Sequence, residues 1–140
     1  MISQIYSEFE ELLDCKYLPD YWSDEGIFQA SILLQKFDED DWVNLKKQCV
    51  TKSEDWKIKC TEVLSESDPY KASIILKYLL DEESIAVQIA TADAINSLCQ
   101  DYGKSILNEF DKGKIKNLES LYSSLGEIDS IVIKSLLSKL

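Results

Sequence analysis

Any chemistry in this chain must come from carboxylates, thiols, hydroxyls and lysine amines, because its 140 residues include no His and no Arg. A missing imidazole removes the usual proton relay near neutral pH, the usual activator of a Ser or Cys nucleophile, and a common zinc ligand. Cys15, Cys49, Cys60 and Cys99 form no CxxC pair, so neither a zinc ribbon nor a thioredoxin-like redox motif is present. Gly26, Gly103, Gly113 and Gly126 are too scattered to form a phosphate-cradling loop. Asp38-Glu39-Asp40-Asp41 has the charge density of a calcium loop, but lacks the Gly at the sixth position and the Glu at the twelfth that an EF-hand needs. Adjacent carboxylates such as Glu82-Glu83 are expected by chance among 26 acids. The residues point away from catalysis, metal and cofactor, and toward recognition by a surface.

The character of that surface follows from charge. The net charge is −11, which disfavours both nucleic acid and an anionic membrane and suits a basic protein partner. The imbalance is local: residues 1–41 hold 11 acids and 2 Lys, whereas residues 112–140 hold 3 acids and 5 Lys. Asp24, Glu25, Asp38, Asp40 and Asp41 crowd the acidic end. Tyr17, Tyr21 and Trp22 stand beside them around Pro19, either as hot-spot anchors for a partner or as anchors of the loop itself. The N-terminus shows no basic segment followed by an apolar one, and no apolar run approaches the roughly 20 residues of a membrane span, so a cytoplasmic protein is expected.

The elements that position these residues read as helices nearly throughout. Ile2, Ile5, Tyr6, Phe9, Leu12 and Leu13 keep amphipathic spacing. Ser23 is the expected N-cap of a helix burying Ile27, Phe28, Ile32, Leu33 and Phe37. Asp38–Asp41 opens a helix with Trp42, Leu45 and Cys49, and Ser53 opens one with Trp56, Cys60, Val63 and Leu64. Ser67-Asp68-Pro69 is the clearest boundary, with Pro at a first helical position. Helices through Leu76 and Ile95 follow, the second ending near Gly103. After a less regular stretch, Gly126 is expected as a left-handed C-cap, followed by a last helix with Ile128, Ile131, Val132, Leu136, Leu137 and Leu140. Cys49, Cys60 and Cys99 fall on apolar faces and are expected as buried free thiols, with Cys15 near a helix end.

These segments pair into about four helical hairpins near residues 2–37, 40–66, 69–100 and 104–139. A shift of about 31 positions lays Trp56 on Val87, Glu62 on Asp93, Val43 on Ile74 and Leu45 on Leu76. The expected fold is therefore a single all-α domain, a stack of hairpins whose second helices line one face. On that face Glu62 and Asp93 are equivalent.

The run Phe37-Asp38-Glu39-Asp40-Asp41-Trp42-Val43-Asn44-Leu45, with Trp56 and the apolar pattern at 72–76 and 87–95, resembles a HEAT-like helical family of small bacterial proteins. Several of its members are immunity proteins encoded beside polymorphic toxins, including contact-dependent growth-inhibition toxins. The resemblance implies a HEAT-like stack and a cognate toxin domain, a basic nuclease among the commonest, as partner. It carries over no binding residue. Those proposed from charge and position are Tyr21, Trp22, Asp24, Glu25, Asp38, Asp40, Asp41, Glu62 and Asp93. The alternative is a helical-repeat adaptor or scaffold with another cellular partner.

Overall fold

Local capping chemistry sets where the helices begin. Ser3 accepts the Tyr6 N–H at 3.0 Å and starts α1 (Gln4–Asp14). Asp38 starts α4 (Glu39–Cys49), Ser53 starts α5 (Glu54–Leu64), and Asp68, with Pro69 behind it, starts α6 (Pro69–Leu80). Ser84 starts α7 (Ile85–Tyr102), which ends on Gly103 at φ +97°, the left-handed backbone that favours glycine. Between α1 and α4 run α2 (Pro19–Tyr21), a π turn (Trp22–Gly26) and α3 (Ile27–Gln35) as one continuous path. The last quarter holds a 3-10 helix (Lys104–Glu109), α8 (Lys112–Asn117), a second 3-10 helix (Leu118–Ser124) and α9 (Glu127–Leu137). This computed structural model describes residues 2–16 and 19–140, side chains excepted at 19 and 122–124, and no strand occurs among the described residues. The fold is all-α.

The helices pack in two rows. α3, α5, α7 and α9 touch in series, and so do α1, α4, α6 and the first 3-10 helix. The first three units close between rows through α1 on α3, α5 on α6 and α6 on α7. Trp56, at the start of α5, is the largest of the fully buried side chains among the described residues. Its ring meets Phe9 edge-on at 6.3 Å, and Phe9 meets Phe37 at 5.2 Å. Three side chains at the start and middle of the α5 hairpin also hold α1. The Trp56 indole N–H donates to the Glu10 carbonyl at 3.3 Å, and Lys52 pairs with the Glu10 carboxylate at 3.2 Å. Lys59 donates to the carbonyls of Leu13 and Cys15 at 3.5 and 3.1 Å. At the other end Asn96 of α7 donates to the Val132 carbonyl of α9 at 3.2 Å and accepts from Lys139 at 2.6 Å.

Caps and burial agree with the 31-residue register. Ser53 and Ser84 are both N-caps, Trp56 and Val87 are both buried, Leu45 and Leu76 are both buried, and Val43 and Ile74 are both exposed. Cys49, Cys60 and Cys99 are buried and Cys15 is exposed, as expected.

Several expectations are corrected. Ser23 caps nothing, because the helix already starts at Pro19 and runs through it. The inward face of that helix is Trp22, Gly26, Ala30 and Leu34, spaced by four, so Phe28 and Ile32 point outward instead. Gly126 has φ −71° and precedes α9 rather than ending a helix in left-handed backbone. The expected fourth hairpin lacks a long first helix, its place being taken by short 3-10 and α turns. Tyr17 lies outside the described residues, as does the side chain of Tyr122.

Candidate functional site

The 31-residue register brings two of the proposed residues together. Glu62 near the end of α5 and Asp93 in the middle of α7 line one cleft of about 290 Å³. Glu66, one turn beyond Glu62, adds a third carboxylate, and Ser65 and Ser97 add hydroxyls. Ala90 and Ala94 of α7 supply small side chains that keep the cleft open. No lysine lines it. The cleft can therefore accept hydrogen bonds and positive charge, and offers no cation of its own.

Glu62 is the half-buried member. Its Oε2 accepts the indole N–H of Trp22 at 2.7 Å. Burial raises its carboxyl above the ordinary glutamate value, the Trp22 hydrogen bond pulls the other way, Asp55 raises it again, Lys59 lowers it, and Asp93 raises it. Lys59 is turned to other partners, its ammonium held by the carbonyls of Leu13 and Cys15 and by Asp55 at 3.2 Å, 5.5 Å from the centre of the Trp22 ring.

Trp22 thus fits the second of the two readings its position allowed, an anchor of its own segment rather than an exposed anchor for a partner. It is 6% exposed, its indole N–H is taken by Glu62, and its ring lies where a side chain at Gly26 would be. A Cβ on Gly26 would stand 2.5 Å from Trp22 Cε3. The π turn, one residue wider than an α turn, presents Asp24 and Glu25 to solvent while Trp22 and Gly26 face inward. Tyr21 is exposed at its start.

Asp41 is the second correction. It is 2% exposed, and its Oδ2 accepts the Asp38 N–H at 3.1 Å while Asp38 accepts the Asp41 N–H at 2.9 Å. Its other oxygen accepts the Ser3 hydroxyl at 2.6 Å. Asp41 therefore joins the starts of α1 and α4 and is buried rather than presented at the surface. Asp38 and Asp40 remain exposed there, with Glu39 paired to Lys71 of α6 at 2.6 Å.

Residues 65–68, between α5 and α6, separate two cavities: Ser65 and Glu66 line the Glu62–Asp93 cleft, while Ser67 and Asp68 line a groove with Phe37, Trp42 and Lys71. Sequence reasoning missed Glu66, Ser65 and Ser97, although Ser97 lies four residues beyond Asp93 on α7 and Glu66 holds the matching place just past the end of α5. It also missed an aromatic face on the other row, where Tyr70, Ile74 and Tyr78 are exposed at i, i+4 and i+8 on α6, with Lys46 of α4 5.2 Å over the Tyr78 ring.

Burial pushes the Cys49 thiol up to about 11 and raises those of Cys60 and Cys99, so these three are not ready thiolates at neutral pH. Among the described residues no group of three or more acids and thiols is placed to hold a metal ion, and no helix is long and apolar enough to cross a membrane. Comparison with protein families, curated proteins and solved structures finds no match to this chain.

Proposed function

We propose that this chain is a cytoplasmic immunity protein that binds and neutralises a cognate antibacterial toxin domain through its acidic surface, without catalysis or cofactor. The observation that carries the reading is the Glu62–Asp93 cleft, in which residues from separate helices, matched by the repeat register, present three carboxylates and no cation. Asp24 and Glu25 before α3, and Asp38 and Asp40 at the start of α4, add exposed charge of the same sign elsewhere on the surface. A basic toxin domain would place lysine or arginine heads in the cleft, exchanging water for charge-assisted hydrogen bonds. In this reading the two rows form a HEAT-like stack of four hairpins, the last irregular, whose α3–α5–α7 side is the binding face.

A second reading, a helical-repeat adaptor, is favoured by the Tyr70–Ile74–Tyr78 face, since tyrosines with lysine beside them suit a separate partner on the opposite row.

The toxin domain encoded beside this chain is the partner to test. Reversing Asp40, Glu66 and Asp93 to Lys, all outside the core, should weaken binding at least about tenfold, lower the association rate, and abolish protection of cells, with the helical spectrum unchanged. Undiminished binding by the triple variant would remove the acidic surface from the mechanism. Absence of binding by the parent would favour the adaptor.

A further inference from the structure

Lys59 and Glu62 stand three residues apart on α5, a spacing at which a lysine and a glutamate can pair on one helix face. Here the Lys59 ammonium is held instead by the Leu13 and Cys15 carbonyls at the end of α1 and by Asp55. The close donor to Glu62 comes from another element: the Trp22 indole N–H meets Oε2 at 2.7 Å. An indole and an ammonium treat a carboxylate differently. Both favour its ionised form, but the ammonium cancels the charge, whereas the neutral indole leaves it in place.

The surroundings of Glu62 otherwise press a proton onto it. Asp55 lies on its own helix, Glu66 just beyond that helix, and Asp93 on α7, while Lys59 is the one cation near it. The path through Trp22 brings only Ile27 to the cleft, and no charge. The donor is also built in, since Trp22 is buried and the missing side chain of Gly26 makes room for its ring. We infer that Trp22 is a positioning residue for the Glu62–Asp93 cleft: its N–H fixes the Glu62 carboxylate at the cleft wall and keeps it ionised without neutralising it, leaving the charge for an incoming cation. This rests on the reading of the cleft as the binding site and says how that site keeps its charge. Trp22 then serves binding from behind the surface.

NMR titration of the full chain from about pH 4 to 8, following side-chain carboxyl carbons and indole nitrogens, tests this without a partner. In the parent, the Trp22 N–H resonance should shift with the Glu62 midpoint. Trp22→Phe keeps an aromatic ring and removes the donor. It should raise the Glu62 midpoint by about one pH unit, because a hydrogen bond to the charged form is lost. A purely structural tryptophan would leave that midpoint unmoved. An indole resonance indifferent to the Glu62 titration, or an unmoved or lowered midpoint in Trp22→Phe with circular dichroism unchanged, would overturn the inference; if the variant does not fold, the parent resonance decides. Binding of the toxin domain encoded beside this chain is the second arm. The affinities of parent and Trp22→Phe should diverge as pH falls, toward the roughly tenfold that a one-unit difference allows. Parallel pH profiles would show that Trp22 does not position charge for binding. A parent that binds no toxin removes the proposed function, and the titrations still decide whether Trp22 sets the charge of Glu62.

Discussion

Glu62 is a carboxylate whose surroundings favour its proton. Burial and the nearby Asp55 and Asp93 raise its pKa, and the folded state therefore holds that proton more tightly than the unfolded chain does. Ionising it as pH rises costs stability, so the parent should gain stability relative to Glu62→Gln as pH falls through the raised pKa. The gain is complete below the ordinary glutamate value. At neutral pH we expect Glu62→Gln to be at least as stable as the parent, since the amide oxygen can still accept from Trp22. Denaturant midpoints from about pH 4 to 7.5 check both statements; a variant clearly weaker at pH 7 would mean that the ionised form is the stabilising one. A bound cation in the cleft reverses the preference, so on the proposed function binding of a basic toxin domain should release protons near that pKa and weaken as the cleft protonates. Glu62 and Asp93 were legible as a pair because the 31-residue register needs only apolar spacing. Trp22 and Asp41 were not, because the residues that claim them, Glu62 and Ser3, are 40 and 38 positions away in sequence.

At the scale of elements, boundaries set by local chemistry were the readable ones: Ser53, Asp68-Pro69 and Ser84 each close their hydrogen bonds within three residues. The π turn was not readable. Nothing local prevents Ser23 from capping, and what carries the helix through it is the distant docking of Trp22. Gly26 is the complement of that docking, and its lack of a side chain, rather than backbone freedom, is what the site uses: its φ is −61°, open to any residue. Gly26→Ala should force the indole aside and cost about 1–3 kcal/mol, the usual range for overpacking, with a change in tryptophan emission. Chemical denaturation of the variant checks this, and a neutral or stabilising result would place the indole elsewhere. Which side of α3 and α9 faces inward was also beyond the sequence, since both faces are apolar and only the neighbour in the stack decides between them.

For the molecule as a whole, order is unevenly distributed. α5 and α7 each contact helices of both rows and hold most of the largest buried side chains between them and α6. The stretch from Lys104 to Ser124 is built of short 3-10 and α turns whose polar backbone lies largely at the surface. Amide hydrogen exchange should therefore be fastest across that stretch and slowest in α5 and α7, with protection differing by several orders of magnitude. Equal protection throughout would mean that the last quarter folds and unfolds with the rest as one unit. The lower regularity of residues 104–125 was visible in their pattern, but the pattern could not say that turns would replace a long helix there.

The three side chains by which the α5 hairpin grips α1 also have a mechanical meaning. Lys52 in the turn before α5 and Trp56 at its start both meet Glu10, while Lys59, about a turn further on, meets Leu13 and Cys15 at the end of α1. A tension drawn along α1 would load these rivets together, in shear, and each would share the force. The same tension applied across α1 would load them one after another, like a zip. The protein is thus built to be stiff in one direction of pull and yielding in another.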